Sequence, residues 1–149
     1  MPSLKPFSIL ATIQTKRVRP DLALLKLEKP LPDRFLPVLL GARMPDSGDG
    51  LIATGYGESV ANDPTAGTIL RMVLLRVSHI YGSALILAST HEEPAGSGRG
   101  DSGGPVFAYR GMHALVGIIV GHLGGETTAV SIASNYIWIK ETLERLSMH

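Results

Sequence analysis

The apolar residues of this 149-residue chain come in short runs, most of them closed by glycine or proline. The longest, residues 114–120, is far too short to cross a bilayer, which takes about 20 apolar residues. With 17 glycines, 10 prolines and only 5% aromatic residues, this punctuation favours short strands joined by many turns over a helical bundle. Residues 7–13 and 21–27 read as strands, the second closed by Pro30 and Pro32, and residues 31–50 form a connecting segment. Residues 51–57 read as a strand ending in a glycine-bounded turn, 62–67 as a turn, 69–77 as a longer strand and 84–88 as a brief one. Residues 91–104 are a loop by composition. Residues 105–109 and 115–120 can pair as a hairpin across Arg110-Gly111, and 127–133 is a final strand. Ser134 or Asn135 then caps a helix to about Leu146, with Ile137, Trp138, Leu143 and Leu146 as its apolar side.

The length suits one domain with a sizeable core, or parts of two small ones. A chain that is 44% hydrophobic and 18% charged is globular in composition, and its net charge of +1 argues against nucleic acid or an anionic membrane as main partner. The absence of cysteine rules out disulfides and thiolate metal sites. No metal and no cofactor are expected, and residues 1–6 lead into no apolar core of a secretory signal.

Within the loop stands Gly98-Arg99-Gly100-Asp101-Ser102-Gly103-Gly104-Pro105. A glycine-rich turn is one reading. The other is a backbone shaped to present a single hydroxyl. A serine is a poor nucleophile unless a base takes its proton, and attack on an amide carbonyl creates an oxyanion best held by pre-aimed backbone N–H groups. Glycines allow positive φ and close approach of substrate, so the N–H groups of Gly100 and Ser102 can converge beside the Ser102 hydroxyl.

Residues 100–105 resemble the nucleophile signature of the chymotrypsin/trypsin family of serine proteases. The segment Asp21-Leu22-Ala23-Leu24-Leu25-Lys26-Leu27 resembles the one that begins with the family's triad aspartate. Gly55-Tyr56-Gly57 is similar to the strand end that opens the second barrel, and Asn135-Tyr136-Ile137-Trp138 to the start of the C-terminal helix. The resemblance implies an all-β, chymotrypsin-like double β-barrel, with residues 1–45 a remnant of the first barrel and its connection, and 46–149 the second barrel and helix. It implies a serine endopeptidase acting on polypeptide through an acyl-enzyme. Ser102 would be the nucleophile, Asp21 the carboxylate that orients the catalytic imidazole, and Gly100 and Ser102 the oxyanion-hole donors. Asp101 would support the oxyanion loop by pairing with a newly cut N-terminal amine. Gly96 would lie at the base of the specificity pocket, offering no carboxylate for Lys or Arg, and Val120, Gly121 and His122 would line the substrate cleft.

The family's order is His, then Asp, then Ser, yet no histidine precedes Asp21. His79, His91, His113, His122 and His149 all follow it, none in a matching segment. The expected reading is an incomplete chain with little activity alone, begun at an internal methionine of a longer, exported protease. A fragment that folds with another, N-terminal piece and a degenerate protease-like module that binds without cutting are the rivals. An α/β-hydrolase elbow fails, because no strand–elbow–helix pattern surrounds Ser102.

Overall fold

The computed structural model describes residues 7–12, 21–59, 67–91 and 95–147. The turn expected at 62–67 lies outside them except for Gly67, as does His149. Strand β1 (Phe7–Thr12) pairs antiparallel with β2 (Ala23–Leu27) as a two-stranded sheet. The next six strands are β3 (Gly50–Gly55), β4 (Arg71–Tyr81), β5 (Ala84–Ser89), β6 (Pro105–Ala108), β7 (Leu115–Leu123) and β8 (Glu126–Ser131). They form a closed antiparallel barrel in the order β3-β4-β5-β8-β7-β6, with Leu51 of β3 opposite Ala108 of β6 at the seam. Closure leaves the barrel without an unpaired edge.

Alternation along the strands makes the inside. Leu51 and Ala53, Leu75 and Val77, Leu85 and Leu87, Val106, Ile119 and Ala129 form one buried cluster. Full burial of each large aliphatic contributes about 1.5–3 kcal/mol, so this cluster dominates the barrel's stability. β4 runs four residues past the apolar pattern that marked it, to Tyr81, because a bulge between Val77 and His79 lets the ladder with β5 continue.

A second cluster lies on the outer face of β7 and β8. Val130 packs there with Ile132, Ile139 of the terminal helix and Leu22 at the approach to β2, joined by Leu24, Ile118, Val120 and Trp138. This contact holds β2 against the barrel.

The expected helix is present as α1 (Tyr136–Ser147), entered through a 3-10 turn at Ala133–Asn135. Its packed side keeps Trp138 of the sequence reading but not Ile137 or Leu143, and its cap differs. Ile137 is 72% exposed and Leu143 49%, whereas Ile139 and Thr142 are buried. Neither Ser134 nor Asn135 caps it with a side chain: the Ser131 hydroxyl accepts the Ser134 N–H at 3.2 Å. Asn135 turns inward, and its Nδ2 donates to the Ser131 carbonyl at 2.7 Å. A satisfied polar pair thus takes a place that apolar periodicity would assign to a leucine.

Candidate functional site

β3 ends and β6 begins at the same end of the barrel, and residues 95–104 lead from β5 into β6 there. Asp101 organises this segment. Its carboxylate accepts the Gly57 N–H at 2.7 Å and the Gly98 N–H at 2.8 Å, which ties the turn after β3 to the loop. Further pins are Glu58 N–H to the Arg99 carbonyl (2.9 Å), Gly104 N–H to the Asp101 carbonyl (2.8 Å) and Gly103 N–H to the Ile119 carbonyl (2.7 Å). Gly100 and Gly103 take φ of +96° and +86°, in the left-handed region that disfavours any side chain. Ser102, between them, is exposed. The N–H groups of Gly100 and Ser102 donate to no other described residue, so two amide donors flank an accessible hydroxyl.

The remaining glycines of the site answer to close approach. Neither Gly55 nor Gly57 has positive φ. A Cβ on Gly55 would collide with Asp101 Oδ1, and one on Gly57 would stand 2.5 Å from Asp101 Cγ. A Cβ on Gly98 would collide with the Glu58 carbonyl oxygen. The Gly-Tyr-Gly turn is therefore shaped around a carboxylate 44 residues away.

Gly96 is exposed, and a Cβ there would meet Thr127 Oγ1 at 3.1 Å. Thr127, which the sequence reading did not single out, is fully buried on β8, and its Oγ1 accepts the Ser97 N–H at 2.8 Å. Ser97 Oγ reaches the Gly121 carbonyl at 3.5 Å. Gly121 and His122 thus lie beside the loop, on β7 opposite Thr128 and Thr127, with His122 exposed. Val120 sits at a bulge and packs its side chain into the outer cluster, so only its backbone is left to offer a substrate.

Asp21 is exposed, and its neighbour Leu22 is buried in the outer cluster against which Val120 also packs. No hydrogen bond joins Asp21 or Ser102 to a described histidine. His79 contacts Ser78 Oγ and stacks on Tyr81, and His113 Nδ1 meets the Ala108 carbonyl. His91 and His122 are exposed. Behind the loop lies a cavity of about 370 Å³, bordered by Thr54, Gly57, Arg71, Gly96, Asp101 and Ile119. Arg71 donates to the Gly57 carbonyl at 3.2 Å at its wall. Among the described residues, no three His, Asp or Glu side chains are grouped as metal ligands, and no helix is long and apolar enough to cross a membrane.

Two solved structures of similar fold are a protease and an inactivated protease paralogue. The scabies mite inactivated protease paralogue S-I1 superposes with a TM-score of 0.65 at 19% identity, over 83% of this chain and 61% of that one. Neuropsin, a serine protease expressed in the limbic system of mouse brain, superposes with a TM-score of 0.70 at 22% identity, over 92% of this chain and 71% of that one. The chain therefore spans about 61–71% of the length of these structures. None of the curated proteins compared with it matches. The sequence model of the Trypsin family, in contrast, matches residues 6–139, from β1 through the barrel and the Asp101–Ser102 loop into α1. On that match the chain belongs to the trypsin family.

Proposed function

We propose that the chain is the nucleophile-bearing part of a serine endopeptidase. The observation that carries this reading is the loop itself: Ser102 exposed, the Gly100 and Ser102 amides bonded to no described residue, and Asp101 held by two backbone donors. Ser102 Oγ attacks a peptide carbonyl carbon, a C–O bond forms, and the carbonyl oxygen takes up negative charge facing the two amides. The hydroxyl proton passes to a base and from there to the leaving amine; water then hydrolyses the acyl-enzyme. Asp21 orients that base in this reading. Gly96, Gly121, His122 and the Val120 backbone flank the bound peptide, and the absence of a carboxylate at Gly96 selects uncharged side chains before the scissile bond.

The base itself is proposed to come from a further polypeptide segment preceding β1. The β1–β2 sheet supports this, because a two-stranded sheet alone is marginal in water and Leu25, Phe35, Leu36 and Leu39 beside or after it are all at least half exposed. A segment that extends this sheet would cover them. The cavity beside Asp101 is where a newly cut N-terminal amine would sit.

A fluorophosphonate probe tests the reading. It labels Ser102 in a chain extended by such a segment, and the Ser102→Ala variant stays unlabelled. If the extended chain is also unlabelled while folded, the reading fails and a protease-like binding module replaces it.

A further inference from the structure

The segment leading to Ser102 must be fixed if the site is to hold a peptide in one register, and this chain has no cysteine with which to staple it. The shortest hydrogen bond that fastens residues 96–98 to the barrel among the described residues is to a buried hydroxyl. Thr127 lies on β8 between its partners Leu87 of β5 and His122 of β7, a strand paired on both sides. It is 0% exposed, and its Oγ1 accepts the Ser97 N–H at 2.8 Å across 30 residues of sequence. The same oxygen would crowd a Cβ at Gly96, 3.1 Å away. The next residue, Gly98, donates its N–H to the Asp101 carboxylate, one residue before Ser102. A hydrogen-bonded line therefore runs from a rigid central strand through Ser97 and Gly98 to the residue that precedes the reactive hydroxyl. Among the described residues, the side chain of Ser97 makes the longer 3.5 Å contact to the Gly121 carbonyl.

We infer that Thr127 is a positioning residue: its hydroxyl latches residues 96–98 onto β8 and so sets the wall of the substrate site upstream of Ser102. The word substrate here rests on the proposed function; the latch does not. Thr127→Val keeps shape and volume but removes the acceptor, and Thr127→Ser restores it.

Amide hydrogen exchange by NMR on the full chain reads the latch directly. In the unmodified chain the Ser97 amide is protected relative to Gly100 and Ser102, whose N–H groups have no described acceptor. In Thr127→Val it exchanges about tenfold faster, as loss of roughly 1.4 kcal/mol of hydrogen bonding requires. The Ser102 and Gly103 amide resonances shift, while exchange at Leu75, Val77 and Leu85 is unchanged. Thr127→Ser returns both the protection and the resonances. The inference is overturned if Ser97 exchanges as fast as Gly100 in the unmodified chain, or if Thr127→Val leaves it unaltered. It is equally overturned if Thr127→Ser matches Thr127→Val, or if the barrel amides accelerate together with Ser97. Failure of Ser102 to take a fluorophosphonate would defeat the proteolytic reading and leave these exchange results standing.

Discussion

Gly55→Ala probes the contact on which the whole loop turns. Gly55 sits at ordinary φ, so an alanine there brings no backbone strain and by itself would stabilise by about 0.4–1 kcal/mol through the unfolded chain. The structure predicts the opposite sign. The new methyl collides with Asp101 Oδ1 and stands 2.8 Å from its Cγ. Relieving the overlap costs about 1–3 kcal/mol as overpacking. Displacing the carboxylate also weakens the 2.7 Å bond from Gly57 N–H, worth about 1.5–3 kcal/mol for a charged acceptor and less here because Asp101 is only partly buried. The net expectation is a loss of about 2–4 kcal/mol, or roughly 5–10 °C in Tm for a chain of this length. In an Asp101→Ala background the methyl meets no carboxylate, so the same substitution should be within about 1 kcal/mol of neutral. The coupling between the two sites is then about 2 kcal/mol or more, measured by urea unfolding of the four proteins in the cycle. Equal losses in both backgrounds would refute the claim that Gly55 exists to admit Asp101.

The packed side of α1 makes a second test. Ile139→Ala should cost about 2–5 kcal/mol in urea unfolding, whereas Ile137→Ala should stay within about 0.5 kcal/mol; equal losses would restore the face drawn from periodicity. Substrate choice makes a third: an active, extended chain given a peptide library should cut after uncharged residues, and dominant cleavage after Lys or Arg would contradict the role given to Gly96.

The strands were legible where apolar residues alternate or cluster, as at Leu51–Ala53 and Leu85–Leu87, because the barrel interior imposes that pattern locally. β4 hid its last turn of ladder, since the bulge at Ser78 shifts the alternation and His79, Ile80 and Tyr81 are exposed. Periodicity places Trp138 on the packed side of the helix correctly but not Ile137 or Leu143, because Asn135 and Thr142 are buried and hydrogen-bonded: Asn135 donates to the Ser131 carbonyl, and Thr142 Oγ1 accepts from Arg145. Apolar periodicity carries no signal for either. The Ser102 loop was legible as a motif, but its supports were not. Gly57 and Asp101, or Ser97 and Thr127, are polar or small residues far apart in sequence, and only closure of the barrel brings them together.

The central claim is that Ser102 is a nucleophile whose cradle is built into this chain and whose base is supplied by a segment packed on β1–β2. The rate of fluorophosphonate labelling, compared between the 149-residue chain and one extended at its N-terminus, tests it most directly. Loss of the base of such a triad lowers turnover by roughly 10⁶-fold. The account predicts rapid labelling at Ser102 in the extended chain and slower labelling by about that factor in the chain alone. Equal rates in the two, or labelling that survives Ser102→Ala, would contradict it.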